Sequence, residues 1–106
     1  MKKALMMLAM VATTSLWAYG FQVGNLYYNI VDDNEFTVQV AKVSDFWDNP
    51  YQDLTSVNIP VTVNMYGVTY TVVGIEGGAF RNCRNLKHIT LPNTIEHIGS
   101  FAFTNS

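Results

Sequence analysis

Residues 75–103 read IEGGAFRNCRNLKHITLPNTIEHIGSFAF, and this stretch carries one short motif twice. Ile75, Ala79 and Phe80 each return 23 positions further along the chain. A fixed spacing of about 20–50 residues is typical of stacked supersecondary units rather than of a single globular core. The sequence therefore predicts a repeat architecture. The later copies of the three residues are Ile98, Ala102 and Phe103.

The second unit has the pattern LxxIxLPxxIxxIGxxAF over residues 86–103. At the same period, the preceding unit is expected to supply Val63, Val68 and Val72 before Ile75. This pattern closely resembles the BspA-like subclass of leucine-rich repeats, whose signature combines Leu-x-x-Ile-x-Leu-Pro, Ile-Gly, Ala-Phe and Cys. The resemblance covers residues 59–106. It implies a solenoid in which each coil contributes one strand and one short helical bend.

Stacking of successive coils is what the resemblance implies for the core. Ile75 is expected to lie over Ile98 and Phe80 over Phe103, with neighbouring strands about 4.8 Å apart. Each covered apolar side chain contributes about 1.5–3 kcal/mol relative to exposure. The expected repeat core comprises Ile75, Ala79, Phe80, Cys83, Leu86, Ile89, Leu91, Ile95, Ile98, Ala102 and Phe103.

The segment before the repeats is predicted to form β-hairpins. Residues 26–31 and 36–42 are rich in aromatic and β-branched side chains and flank the turn cluster 32–35. Strict alternation places Phe36, Val38 and Val40 on one face of a half-buried strand. We expect an antiparallel hairpin here, and the region 21–58 resembles the N-terminal cap that precedes such repeats. The predicted fold class is mainly β, with N-terminal hairpins capping a leucine-rich-repeat solenoid.

Further along, short strands alternate with turns. Residues 55–59 and 87–91 each read as a strand stopped by a proline. Residues 61–63 and 68–73 form a second predicted hairpin, with Gly67 available for a positive φ. A short helical bend is expected at 79–82. Three aromatic residues in the loop 44–53 are expected to plug it onto the sheet, although a ligand-stacking platform is an alternative: Phe46, Trp47 and Tyr51.

The first 20 residues are interpreted as a signal peptide. Lys2 and Lys3 precede an apolar run over residues 4–12, and a small-x-small pattern ends at Gly20. We expect cleavage between Gly20 and Phe21, with cleavage after Ala18 as the alternative. A membrane-spanning helix is disfavoured because the apolar run is shorter than the roughly 18–20 residues that a bilayer requires.

The remaining composition narrows the class of protein. Residues 21–106 carry four Lys or Arg and eight Asp or Glu, a formal charge of −4 with no evident basic stripe. This balance argues against nucleic acid and anionic membranes as partners. The single cysteine, Cys83, lies far from the cleavage region. A secreted or surface-exposed product of the general secretory pathway is therefore expected, rather than a lipoprotein.

No catalytic, cofactor or metal site is predicted. Cys83 is expected to be a buried and inert thiol, and His88 to face solvent because its neighbour Ile89 points inward. His88, His97 and Glu96 lack metal-ligand spacing. The cluster 32–35 lacks the twelve-residue spacing of a calcium loop. Gly77 and Gly78 are explained by the bend that follows them.

The expected function is non-enzymatic protein binding or adhesion at the bacterial cell surface, which rests on the resemblance alone. The partner would be a host or neighbouring-cell surface protein, and the outward positions Lys87, His88 and Thr90 are the candidates for contact. The alternative is a structural N-terminal cap of a larger protein whose activity lies downstream. Solenoids generally need about three units. Fewer than two complete units are expected here, since the second repeat is incomplete, and this predicts a truncated piece of a longer repeat protein.

Overall fold

The computed structural model describes residues 20–43 and 49–106. Within these residues the regular structure consists of strands, and no α-helix is present among them. The prediction of a mainly β chain is confirmed. The strands are β1 (Phe21–Val23), β2 (Leu26–Asp32), β3 (Thr37–Val40), β4 (Ser56–Asn58), β5 (Thr62–Met65), β6 (Val68–Ile75), β7 (His88–Thr90) and β8 (His97–Ile98).

Strands β1, β2 and β3 form an antiparallel meander at the N-terminal end. The Asp32 carboxylate accepts hydrogen bonds from the backbone N–H groups of Asn34 (2.8 Å) and Glu35 (3.1 Å), which closes the β2–β3 turn. Leu26 and Tyr28 on β2 are buried, whereas Asp32 at its end is exposed. The predicted hairpin between these two strands is therefore confirmed.

The inward orientation expected for Phe36 is wrong. Phe36 has a φ of 58° and is 41 % exposed, and β3 begins one residue later, at Thr37. The β2–β3 register shifts between Ile30 and Asp32, so the chain leaves regular pairing before it reaches this position. Strict alternation holds only for extended backbone, and Phe36 is left-handed. Its ring lies partly exposed, with its centroid 6.1 Å from that of the buried Tyr70.

Strand β6 joins the N-terminal meander to the repeats. One edge of β6 pairs in parallel with β3, from Thr37↔Thr71 to Val40↔Ile75. Along the other edge, its first half pairs antiparallel with β5 and its last two residues pair in parallel with β8. The β5–β6 hairpin is confirmed, with Gly67 at a φ of 82°. The N-terminal meander, through β3, and the second coil, through β8, thus flank the same strand. The core of the first coil lies between them.

The two coils pair with two different offsets. Strand β4 pairs in parallel with β7, and Val57 lies opposite Ile89, 32 positions later. Farther along, Ile75 lies opposite Ile98, 23 positions later. The first coil therefore contains nine residues more than the second. These extra residues form part of the β5–β6 hairpin, which we call the inserted hairpin (residues 61–70).

Because of the inserted hairpin, the two repeat units cannot be aligned at a constant offset of 23 residues. Val63 and Val68, expected to match positions of the second unit, instead pair within this hairpin, Val63 with Tyr70 and Val68 with Met65. The first-coil counterpart of the pattern LxxIxLP is Leu54-x-x-Val57-x-Ile59-Pro60, at the offset of 32 shown by the β4–β7 register. A constant-period alignment could not find it because the insertion lies between the two matching segments.

Each bend between strands is a series of i→i+3 turns rather than a helix. The backbone N–H groups of Ala79, Arg81 and Cys83 donate to the carbonyls three residues earlier. The bends of the two coils are joined by backbone bonds from Phe80 N–H to the Ala102 carbonyl and from Asn82 N–H to the Thr104 carbonyl, both 2.8 Å. Short i→i+3 segments keep inward side chains at a spacing of three.

Equivalent residues of the two bends stack on one another, as the repeat predicts. The rings of Phe80 and Phe103 are parallel within 5°, with centroids 5.4 Å apart. Asn82 and Asn105 both have left-handed backbones, with φ of 63° and 61°, and the Asn105 amide donates to the Asn82 side-chain oxygen at 3.1 Å. Stacking in this part of the fold is thus made by rings, side-chain amides and backbone together.

Replacing Phe101 with glycine is expected to stabilise the fold by about 0.5–1 kcal/mol. Phe101 has a φ of 61° and is 73 % exposed, whereas the equivalent position of the first coil is Gly78, with a φ of 77°. Glycine adopts this conformation without steric cost. Urea unfolding measures the change. Phe101→Ala is the control, since it removes the ring but keeps the strained Cβ; an equal gain in both variants would contradict the explanation.

Candidate functional site

The paired strands β4 and β7 display a polar surface, which we call the strand face. Its outward residues are all exposed, while Val57 is buried and Ile89 half-buried on the opposite side. Backbone hydrogen bonds from Lys87 N–H to the Thr55 carbonyl (2.8 Å) and from Ile59 N–H to the Thr90 carbonyl (3.0 Å) close both ends of the pair. The strand face consists of Ser56, Asn58, His88 and Thr90.

The side chains of the strand face suit recognition of a polar surface. Hydroxyl, amide and imidazole groups are donors and acceptors, and adjacent strands hold them at fixed spacing. The sequence-based candidates His88 and Thr90 lie on this face, whereas Lys87 is exposed immediately before β7. Ser56 and Asn58 were not among the candidates. The register of β4 against β7 brings them beside His88 and Thr90, and the motif Leu54-x-x-Val57-x-Ile59-Pro60 was the available signal.

Tyr51 packs against the core of the first coil. It is fully buried, its hydroxyl donates to the Ala41 carbonyl (3.0 Å) and accepts from the Tyr27 N–H (3.1 Å), and its ring centroid lies 4.8 Å from that of Phe80. Burial raises the pKa of Tyr51, so its hydroxyl stays protonated. The expected plug role is confirmed for Tyr51. Phe46 and Trp47 lie outside the described residues.

Asn49 links the same loop to the bend of the first coil. Its side chain is only 5 % exposed. The amide nitrogen donates to the carbonyls of Ala79 (3.1 Å) and Arg81 (3.0 Å), and the side-chain oxygen accepts from the Tyr51 N–H (2.9 Å). In sequence, Asn49 looks like an ordinary turn former, because nothing local distinguishes an asparagine whose amide binds the carbonyls of a distant bend.

A polar network joins the cap to both coils on the side of β6 and β8. The Glu76 carboxylate accepts from Lys42 N–H (2.6 Å) and from the Asn29 amide (3.2 Å). The Gln39 amide donates to Asn29 (2.9 Å), and its oxygen lies 2.9 Å from His97 Nε2. Glu76 stands where the second coil has glycine, and this network gives that departure from the motif a structural role.

The His97 ring lies over Gly74. A Cβ on Gly74 would collide with the imidazole, since it would lie 2.6 Å from His97 Cδ2. The absence of a side chain on β6 therefore lets His97 on β8 reach across to Gln39 on β3. The contact between His97 and Gln39 thus links β8 to β3 across the strand between them, β6.

The expected repeat-core residues differ in exposure between the two coils. Leu91 and Ile98 are exposed, at 41 % and 48 %, although Ile75, the first-coil partner of Ile98, is fully buried. The first coil is covered on one side by the cap and on the other by the second coil, while the second coil has described neighbours on one side only. The buried members are Ile75, Ala79, Phe80, Cys83 and Ala102, and the half-buried ones are Leu86, Ile89, Ile95 and Phe103.

Cys83 and His88, which lie five positions apart in sequence, have different environments in the fold. Burial raises the pKa of the Cys83 thiol to about 11, which keeps it protonated near neutral pH. His88 is exposed on the strand face and Cys83 is buried. Within residues 20–43 and 49–106, no group of three or more His, Cys, Asp or Glu side chains is placed to hold a metal ion. In that same part of the chain, no helix has the length and apolar character needed to cross a membrane.

Comparisons with known proteins agree with this architecture. Residues 51–106 match the family model described as a BspA-type leucine-rich repeat region of six copies. The match begins at Tyr51, ahead of the boundary expected at residue 59, and includes β4. No curated protein matches the chain significantly.

Two solved structures are similar to this chain. A leucine-rich repeat protein from Bacteroides ovatus is 34 % identical with a TM-score of 0.65, covering 80 % of this chain and 21 % of its own. A leucine-rich repeat protein from Bacteroides capillosus is 28 % identical with a TM-score of 0.62, covering 77 % and 55 % respectively. This chain thus spans about a fifth and about half of their lengths. The family match extends over more than half of the chain, and the chain therefore belongs to the BspA-type leucine-rich repeat family.

Proposed function

We propose that this chain is an exported, non-enzymatic repeat module that binds protein at the bacterial cell surface and serves adhesion. The strand face carries the proposal. Ser56, Asn58, His88 and Thr90 project from two paired strands whose inward residues anchor them to the core. Preorganised side chains lose little conformational entropy when they bind a partner. The family is a protein-interaction fold, which supports the same conclusion.

Export is the first step to test. The proposed leader, residues 1–20, ends directly before β1, which begins at Phe21. Cells expressing the full chain with a C-terminal epitope tag are expected to release or display a product shortened by 20 residues. Mass spectrometry identifies the new N-terminus. An unprocessed product that stays in the cytoplasm would count against the localisation.

Binding is tested by a solid-phase assay of the purified chain against a panel of extracellular matrix and cell-surface proteins. Asn58→Tyr with Thr90→Tyr places two bulky rings on the strand face and is expected to abolish capture of any retained partner. Thr62→Tyr with Thr69→Tyr makes the same exchange at exposed positions of the inserted hairpin and is expected to leave capture intact. Absence of any retained partner, or equal loss in both variants, would refute the proposal.

A structural role is the second candidate, favoured by the unequal covering of the two coils. Residues 21–58 would act as the N-terminal cap of a larger repeat protein, sealing the first coil through β3, Asn49 and Tyr51. Stability of repeat arrays grows with the number of stacked units. Appending one further consensus coil after Ser106 is expected to raise Tm if the second coil is an interior one. An unchanged Tm would favour the binding role alone.

A further inference from the structure

Three of the four Lys and Arg side chains in the described residues follow one another at intervals of three, from the bend of the first coil to the start of the second. Two consecutive i→i+3 hydrogen bonds shape this segment: Cys83 N–H donates to the Phe80 carbonyl (3.3 Å) and Leu86 N–H to the Cys83 carbonyl (3.1 Å). Such turns place every third residue inward. The residue after each inward position is exposed and basic. Inward lie Phe80, Cys83 and Leu86; outward lie Arg81, Arg84 and Lys87, which we call the basic ridge.

The basic ridge is a local exception to the acidic balance of the protein. Residues 77–95 contain no Asp or Glu, although residues 21–106 carry a formal charge of −4. Among the described residues, none of the three cations forms an ion pair. Composition alone gave no sign of a basic stripe, because the three residues are separated in sequence and their common outward position follows from the i→i+3 turns. The loop 49–55 that contacts this segment carries one acidic residue, the exposed Asp53. Surfaces usually intersperse both signs of charge, so three cations against one carboxylate favour a partner of negative charge.

The backbone beneath the ridge is held at three points by the loop 49–55. The Asn49 amide donates to the Arg81 carbonyl (3.0 Å), the Asn85 amide donates to the Gln52 carbonyl (3.1 Å), and Lys87 N–H donates to the Thr55 carbonyl (2.8 Å). The three cations therefore project from a fixed scaffold. A fixed backbone reduces the conformational entropy that is lost when a partner binds, so three exposed charges contribute more to the affinity than they would on a mobile segment.

The ridge runs directly into the strand face, since Lys87 is followed by His88 on β7. We propose that the partner is an extended acidic segment of another protein, which lies along the basic ridge and continues over the strand face. This inference rests on the proposed function and adds the chemical class of the partner. Carboxylates of the segment contact Arg81, Arg84 and Lys87, while its backbone and polar side chains contact His88 and Thr90.

Fluorescence anisotropy of the purified full chain tests the inference. The probe is a labelled peptide of about ten residues that alternates Glu and Ser and spans about 30 Å when extended. Peptides that alternate Gln and Ser, or Lys and Ser, are the charge controls. We expect binding of the acidic peptide only, weakened as salt rises because exposed charges are screened. Arg81→Gln, Arg84→Gln and Lys87→Gln together are expected to weaken it about tenfold or more.

A matched variant separates local contacts from net charge. Gln22→Glu, Asn25→Glu and Thr62→Glu change the charge by the same three units at exposed positions of β1, the β1–β2 turn and β5, and are expected to weaken binding about twofold or less. Circular dichroism melts check that both triple variants fold. If the ridge triple does not, the single variant Arg84→Gln is expected to show a smaller loss in the same direction.

The outcomes distinguish this inference from the proposed function. Equal weakening by both triples, or no preference for the acidic over the neutral peptide, would overturn the ridge assignment. Tighter binding of an oligothymidylate of equal charge would overturn it as well, because the ridge would then be a general polyanion site. A protein partner that is captured through the strand face and unaffected by the ridge triple would leave the proposed function standing and refute the acidic segment.

Discussion

Replacing Gly99 with alanine is expected to lower the free energy of unfolding by about 3 kcal/mol, the upper end of the usual cost of over-packing. A Cβ at Gly99 would collide with the Gly77 backbone nitrogen and lie 2.6 Å from the Gly77 Cα. The obstacle is backbone, which cannot rotate aside as a side chain does. The two coils would have to separate at the point where Gly99 N–H donates to the Ile75 carbonyl (2.8 Å).

Urea unfolding followed by circular dichroism measures this effect. Gly67→Ala is the matched control, because it adds the same methyl group where no atom lies within 4 Å, but at a φ of 82°. Its cost is the strain of a left-handed alanine, about 1 kcal/mol. An unfolded Gly99→Ala beside a folded Gly67→Ala fits the expectation. Gly99→Ala with stability equal to that of the control would contradict it.

The two glycines also show what a motif conveys and what it leaves out. The resemblance singled out Ile98-Gly99 as part of the repeat signature, but the reason for glycine there is the close approach of Gly77 on the preceding coil. That approach depends on how two coils stack, so no local pattern contains it. Gly67 is the opposite case. The structure places it in a two-residue hairpin turn, and a glycine between two β-branched runs was enough to predict a positive φ there.

Pairings between strands that are distant in sequence could not be predicted from local sequence patterns. Alternation correctly predicted the β2–β3 hairpin, because its strands are adjacent in sequence. The parallel pairing of β3 with β6 crosses more than 30 residues, and neither strand records its partner. The same limit explains why Ser56 and Asn58 were missed. Their place beside His88 and Thr90 requires the offset of 32 that the inserted hairpin creates.

Of the two side chains that link the loop 49–55 to the first coil, one could be predicted from the sequence and the other could not. Tyr51 was predicted as a plug because a large aromatic residue in a loop usually finds a core. Asn49, two positions earlier, makes contacts of equal structural importance, yet an asparagine in a loop is ordinarily a turn residue. Polar residues that satisfy distant carbonyls look no different in sequence from those that cap their own turn. They have to be identified from the structure.

Asn49→Asp is expected to destabilise the protein by about 3 kcal/mol or more at neutral pH. The amide nitrogen of Asn49 lies 3.1 Å from the Ala79 carbonyl oxygen and 3.0 Å from the Arg81 carbonyl oxygen, in a site that is 5 % exposed. The substitution replaces this donor by a charged oxygen that faces two carbonyl oxygens. Only the bond accepted from Tyr51 N–H can persist.

The loss should depend on pH with a definite sign. Burial and the two facing carbonyls disfavour the charged carboxylate, so the pKa of the introduced carboxyl is raised in the folded state above its ordinary value of about 3.9. Between these two pKa values the folded state holds more protons than the unfolded state, and stability therefore falls as pH rises. Below about pH 4 the neutral acid can donate one hydrogen bond, and most of the penalty disappears.

The measurement is the difference in unfolding free energy between the variant and the natural chain, taken from urea curves between about pH 4 and 8. Asn58→Asp makes the same chemical change at an exposed position of β4 and is expected to cost less than about 0.5 kcal/mol across this range. Asn49→Ala removes the same donor without adding charge, so its loss should be smaller and independent of pH. A pH-independent loss in Asn49→Asp equal to that of Asn49→Ala would show that the carboxylate escapes to solvent. The site around Asn49 would then be open to water, which would contradict the expected burial of the carboxylate.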